Sequence, residues 1–403
     1  MTAGLSIRGV RPGIPDPVLV ERVRGHLARS GVTPSAAHVA AALRAEGGVL
    51  GDTTVLDVLG VLRAELSGAG PLEPLLRDPD VTDVLVNAPD EVWVDRGAGL
   101  TLTAVRFTDE PAVRRLAQRM AAVAGRRLDD AAPYVDARLP DGSRLHAVLP
   151  PVSPFGTLVS LRVLRRRAFA LDDLVAAGSL PAAGARLLRA LMARRLSFLV
   201  SGGTGSGKTT LLATLLGCCP GGERLLLVED SGELRPHHRH VVRLEARPPN
   251  VEGVGQVSLR DLVRQALRMR PDRVVVGEVR GAEVVDLLAA LNTGHEGGCG
   301  TVHANAAADV PARMEALAVA AGMNRAALHS QLAAGLDAVV HLHRTSDGVR
   351  RVSEVALLER DDSGLVHART AVAFTAQGEV CPGPAAPRLR QRLSGGGCED
   401  VAW

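Results

Sequence analysis

The run Gly202-Gly203-Thr204-Gly205-Ser206-Gly207-Lys208-Thr209 fits G-x-x-x-x-G-K-[ST] at every fixed position. An apolar stretch, Ser197–Ser201, precedes it, and a helical pattern opens at Lys208. That context constrains the fold more than any other feature. Glycines let a backbone wrap closely enough for successive N–H groups to face a phosphate, and the helix N-terminus behind them adds its dipole. The spacing predicts a strand, a phosphate-cradling loop and a helix within an α/β domain. Lys208 then reaches the β- and γ-phosphates of a nucleoside triphosphate, and Thr209 offers its hydroxyl to Mg²⁺.

Further strand-like runs follow. Leu225–Val228 ends in Glu229-Asp230, with Glu233 close behind, and Val274–Gly277 ends in Glu278, with Arg280 two residues on. Helical patterns such as Leu259–Met269 lie between, so strands alternate with helices and predict a parallel sheet covered on both faces. The C-terminal ends of such strands converge on one crevice. Glu229 and Glu278 are thereby placed to hold Mg²⁺ through water or to orient an attacking water. Gly294–Asn305 is a glycine-rich segment carrying His295 and His303. Without a cysteine pair or carboxylate ladder it does not read as a metal site. His303 reads as a neutral donor or γ-phosphate sensor at another strand end.

Composition sharpens this picture at a few points. Lysine and arginine number 47 together, and Lys208 is the one lysine. A chain rich in arginine by coding bias keeps an ammonium where a planar guanidinium does not substitute for it. A single lysine also excludes the guanine-selecting N-K-x-D motif, which favours ATP. A net charge of +3 and aromatics at 2% give no basic, base-stacking surface. Nucleic acid is therefore not expected as a direct partner. The five cysteines show no CxxC spacing, which fits a reducing cytoplasm. No apolar run of spanning length and no signal pattern is found.

The chain divides by texture. Residues 1–65 read as an N-terminal helical segment and 66–165 as an α/β domain with strands at Val81–Val86 and Glu91–Asp95. A helix over Glu110–Ala124 and a strand–turn–strand over Val135–Leu149 complete it. Residues 166–180, led by the Arg165–Arg167 cluster, read as a linker, 181–360 as the phosphate-loop domain, and 361–403 as a polar, flexible tail.

Four stretches in this order resemble the type II/IV secretion ATPase superfamily. They are Ser201–Thr210, Leu227–Leu234 (Leu-Val-Glu-Asp-Ser-Gly-Glu-Leu), Arg268–Glu283 and Asn292–Asn305. Within it, the chain is most similar to the tight-adherence (Flp-type) pilus assembly branch, related to the conjugation ATPases. Val81–Asp95 and Asp136–Leu145 extend the likeness upstream, over residues 65–360 or so.

The resemblance implies an N-terminal α/β domain followed by a RecA-like ATPase domain with a mainly parallel sheet. It implies a homohexameric ring with nucleotide between the two domains. Glu278 becomes the general base or water positioner, Glu229 and Glu233 the acidic box supporting metal and water, and His303 the second histidine of its box. Gly202 to Thr210 bind nucleotide, and arginines from the N-terminal domain, with Arg138 and Arg144 as candidates, approach the γ-phosphate. The implied function is a cytoplasmic motor on the inner face of the cell membrane. It would act through integral membrane platform proteins of a pilus, secretion or conjugation apparatus. A nucleic-acid translocase or helicase-type ATPase is the second reading.

Overall fold

The computed structural model describes residues 22–23, 26, 36–45, 68–97, 99–163, 168–249, 253–294, 296–345 and 348–394. The expected helices of 1–65 fall mostly outside these residues, as do Arg165–Arg167, His295 and the chain beyond Ser394. The chain forms two compact units, Met1–Arg165 and Arg166–Trp403.

In the first unit, α1 (Ala36–Ala45) and the short α2 (Glu73–Arg77) precede a six-stranded sheet. Its strands are β1 (Asp83–Ala88), β2 (Glu91–Asp95), β3 (Leu100–Leu102), β4 (Tyr134–Arg138), β5 (Arg144–Val148) and β6 (Leu158–Arg162). The order is β3-β2-β1-β6-β5-β4, with every pair antiparallel. Alternation explains it: Val84, Val86, Val92, Val94, Leu145, Ala147, Val159 and Leu161 are all buried while their neighbours are not. The helix α3 (Glu110–Val123) buries Val113, Leu116, Ala117, Met120 and Ala121 in the same cluster. Asp109 caps it by accepting from the Ala112 N–H, with a proline in the first turn.

The second unit holds a nine-stranded sheet. After α4 (Leu171–Ala176) and α5 (Ala182–Ala193) come β7 (Phe198–Gly202), α6 (Lys208–Leu216), β8 (Leu225–Glu229) and β9 (Val241–Glu245). Then follow α7 (Leu259–Ala266), β10 (Arg273–Val279), α8 (Glu283–Leu291), β11 (Cys299–His303), α9 (Val310–Ala320), α10 (Arg325–Gly335) and β12 (Ala338–Arg344). The chain closes with β13 (Arg350–Arg360), β14 (Val366–Phe374), β15 (Val380–Pro382) and α11 (Ala386–Leu393). Strand order is β15-β14-β13-β12-β7-β11-β10-β8-β9, parallel from β12 to β9 and antiparallel from β12 to β15. Every residue of β7 and β8 is buried. Their continuous apolar runs are what a sheet covered on both faces demands, and the unit has one apolar cluster on each face.

Two expectations are corrected here. Residues 361–394 are not a flexible tail. β14 and α11 bury Val366, Ala371, Val372, Leu389 and Leu393. Their polar half (Arg388, Arg390, Arg392) and nearby glycines and prolines hid that apolar stripe. Nor is 166–180 only a linker: α4 occupies part of it, and Leu171 and Leu180 are buried in the core of the second unit. β9 also went unread, because as the edge strand it has no buried residue.

Candidate functional site

The site forms where the parallel strands end. β7 enters the glycine loop at Gly202, which lies 2.4 Å from the Leu342 carbonyl oxygen and 2.6 Å from Ser206 Oγ when measured from an added Cβ. No side chain fits there. Gly207 caps α6 with φ 96°, in the left-handed region that favours glycine. Inside the loop, Ser206 Oγ is buried without a hydrogen-bond partner among the described residues. An orphan hydroxyl in a glycine loop is what a phosphate oxygen would satisfy.

Lys208, 7% exposed, donates from Nζ to the carbonyls of Gly202 at 3.0 Å and Gly203 at 2.8 Å. Burial lowers its pKa; Glu278 opposes that and Arg280 adds to it. Parallel register sets His303 opposite Gly202, and Lys208 Nζ also donates to His303 Nδ1 at 3.4 Å. An ammonium has no lone pair, so Nδ1 is the acceptor and the ring proton sits on Nε2. Burial first, then the Lys208 charge, keep His303 below the ordinary histidine value, against the pull of Glu278.

His303 Nε2 lies 2.8 Å from Glu278 Oε1. That is an ion-pair distance, but the contact is not aligned as a hydrogen bond, so this buried oxygen has no hydrogen-bond partner among the described residues. The other oxygen pairs with Arg280. Burial raises the Glu278 pKa, yet the Arg280 hydrogen bond and charge, with His303 and Lys208, outweigh it and hold the group below its usual value. Lys208, His303, Glu278 and Arg280 thus form one continuous line. Asp230 and Glu233 act electrostatically on Arg280 from the neighbouring strand end.

Glu229 is placed differently. Its Oε1 accepts from the backbone N–H groups of Glu233 at 2.9 Å and Leu234 at 2.8 Å. It is 3% exposed, and burial, opposed by those two bonds, pushes its pKa up to about 7. It shapes the loop that carries Glu233. Its Oε2 is buried and has no hydrogen-bond partner among the described residues.

No group of three or more His, Cys, Asp or Glu arranged to hold a metal occurs among the described residues. Mg²⁺ carried in by a nucleotide needs fewer protein ligands. The two orphan oxygens, Glu229 Oε2 and Glu278 Oε1, are acceptors suited to its water shell, with Thr209 in the first turn of α6. The residues fit that role.

Arg138 and Arg144 are direct partners on β4 and β5, and Arg144 also faces Arg162 on β6. They form a basic row on the sheet face opposite Leu145 and Leu161. Sequence reasoning gave Arg280 no role and missed two further residues. Buried His341 on β12 bonds through Nδ1 to Ser201 Oγ at 2.8 Å and also to the Asn305 backbone, joining the root of the loop to the His303 segment. Arg350 on β13 donates from Nε to the Gly205 carbonyl at 2.8 Å. No sequence signal marked Arg350 among so many arginines.

The family model described as Type II/IV secretion system protein matches residues 65–379. A Mycobacterium tuberculosis protein called "Putative conjugal transfer protein" is 60% identical over 328 residues, covering 80% of this chain and 93% of that one. The conjugal transfer protein TrbB of Rhizobium radiobacter is 31% identical over 289 residues, covering 70% of this chain and 85% of its own. Among solved structures, the pilus retraction motor PilT with bound ADP is similar at TM-score 0.50 and 20% identity, over 80% of this chain and 84% of that one. The Legionella pneumophila ATPase DotB is similar at TM-score 0.51 and 19% identity, over 73% and 80%. At such identities these two speak for the fold.

Proposed function

The chain belongs to the type II/IV secretion system protein family, and from that premise we propose that it is a motor ATPase driving assembly of a pilus, secretion or conjugation apparatus. The observation that carries this reading is the line Lys208–His303–Glu278–Arg280 beside a phosphate loop. Loop N–H groups, the α6 dipole and Lys208 bind the phosphates. Glu278, held ionised by Arg280, orients a water and takes its proton as the water oxygen attacks the γ-phosphorus and the bond to ADP breaks. Neutral His303 keeps Glu278 and Lys208 in register. Thr209, with Glu278 and Glu229 through water, would hold Mg²⁺, which offsets phosphate charge. Arg138 and Arg144 are proposed as cations for the γ-phosphate.

ATP is the substrate and the working form is a homohexamer. The tight-adherence pilus branch is our reading within the family. Among the described residues no helix is long and apolar enough to cross a membrane. Action at the cytoplasmic face through integral membrane partners fits that. The test joins phosphate release from Mg-ATP with mass by light scattering. Turnover from a six-membered ring supports the reading. A chain that releases no phosphate in any assembly overturns it. Turnover that depends on single-stranded DNA and collapses with salt would favour a nucleic-acid translocase instead.

A further inference from the structure

The phosphate loop has an outer side as well as an inner one. β12 runs parallel to β7, with Leu342 opposite Gly202, and β13 returns antiparallel with Arg350 opposite Arg344. This hairpin walls the loop at both ends. The Leu342 carbonyl closes on Gly202, as described above. At the other end, a Cβ added to Gly207 would lie 3.2 Å from Arg350 Cδ and 3.9 Å from Arg350 Cβ. Between them, Arg350 Nε donates to the Gly205 carbonyl at 2.8 Å. The strand end carrying Arg350 is itself fixed. Thr345 N–H donates to the Val349 carbonyl at 2.9 Å, Thr345 Oγ1 to the same oxygen at 2.8 Å, and Gly348 N–H to the Thr345 carbonyl at 2.9 Å.

We propose that Arg350 is a positioning residue for nucleotide binding, holding the outward Gly205 carbonyl so that the loop's N–H groups stay turned toward the phosphates. The N–H and C=O of a trans peptide point in opposite directions. A loop that gathers its N–H groups inward must therefore present carbonyls outward, and glycines let such a loop relax into other shapes at little steric cost. A donor fixed on a neighbouring strand narrows that choice before the ligand arrives, so less ordering remains to be done on binding. Arginine suits the task because Nε sits next to the stem. One side chain packs on Gly207 and bonds Gly205 together, which a lysine ammonium at the end of its stem does less well.

This inference rests on the loop binding a nucleoside triphosphate, and the experiment separates the two claims. Equilibrium binding of ATP, ADP and inorganic pyrophosphate is measured for the wild-type chain, Arg350→Met, Arg350→Lys and Arg350→Gln, alongside kcat and KM for ATP. Methionine keeps an apolar stem over Gly207 and removes the donor; lysine and glutamine keep a donor. Loss of one such hydrogen bond predicts about threefold to tenfold weaker binding of all three ligands to Arg350→Met. KM should rise by a similar factor while kcat at saturation holds, and Arg350→Lys or Arg350→Gln should recover part of the affinity. A wild-type chain that binds no ATP overturns the nucleotide reading itself. Wild-type binding with an unchanged Arg350→Met overturns the role of Arg350. So does weaker ATP and ADP with unchanged pyrophosphate, which would place Arg350 on the base or ribose. A fall in kcat alone would place it in the chemistry and overturn the proposal too. Were Arg350→Met to melt early, Arg350→Lys and Arg350→Gln carry the comparison with wild type, each expected to lose less than about threefold in affinity for all three ligands. A loss of about tenfold in both, donor notwithstanding, overturns the role of Arg350.

Discussion

Glu229 lies so close to Gly277 that a Cβ built on the glycine would come within 2.7 Å of the Glu229 Cγ. The two residues lie on adjacent parallel strands, Glu229 at the end of β8 and Gly277 near the end of β10, with Val228 opposite Val276 one step earlier. A side chain at position 277 would have to share the space that the Glu229 side chain already fills. Gly277→Ala should destabilise the chain by about 1–3 kcal/mol through overpacking. Combining it with Glu229→Ala should cost less than the two single changes added. Urea unfolding of the four proteins checks this, and strict additivity would contradict the close approach.

The same carboxyl predicts a pH dependence. Its native pKa of about 7 stands above the ordinary 4.5. The native state therefore holds a proton that the unfolded state has released between those values, and stability falls as pH rises through that window. The difference between wild type and Glu229→Gln, followed by urea unfolding from pH 4 to 8, should move steadily in favour of the glutamine variant. A flat difference would mean that Glu229 titrates in the native state as it does in the unfolded chain, with no raised pKa.

Arg273 tests the strand that carries Glu278. It is fully buried, with Nη2 donating to the Met192 carbonyl at 2.8 Å and Nε to Glu223 at 2.5 Å. Among the described residues, Arg273→Leu leaves Glu223 with only the more exposed Arg195 at 3.5 Å and takes the donor from the Met192 carbonyl. It should cost about 3–5 kcal/mol, while Arg273→Leu with Glu223→Leu should recover much of that. Thermal unfolding reads both.

These cases show what the sequence could reveal. The glycine loop, β7, β8 and β10 were legible because continuous apolar runs bounded by fixed-position motifs admit few alternatives, and Glu278 and His303 followed from where parallel strands must end. β14 and α11 were not legible, since their buried residues alternate with arginines beside glycine and proline. Arg350 and His341 could not be read at all: strand register alone sets His341 beside Ser201 and the β12–β13 hairpin against the loop. Glu229 also has a contact that the sequence did not show, since its Oε1 holds the Glu233 loop by two backbone bonds.

His303 bridges Lys208 and Glu278, so its loss should disturb chemistry more than binding. His303→Ala is expected to lower kcat by on the order of tenfold to a hundredfold by releasing Glu278 from its position, with ADP affinity nearly unchanged. Steady-state kinetics beside ADP titration decides it. A loss confined to affinity would make His303 part of the phosphate cradle instead.

The central claim is that Glu278 acts on the attacking water while the loop binds nucleotide without it. The most direct measurement takes one preparation of Glu278→Gln and determines both its ATP affinity and its single-turnover rate, with Lys208→Ala as the binding-deficient reference. The account predicts near-normal ATP binding with turnover slower by on the order of 10²–10³, and no measurable binding for Lys208→Ala. Full single-turnover activity in Glu278→Gln would contradict it.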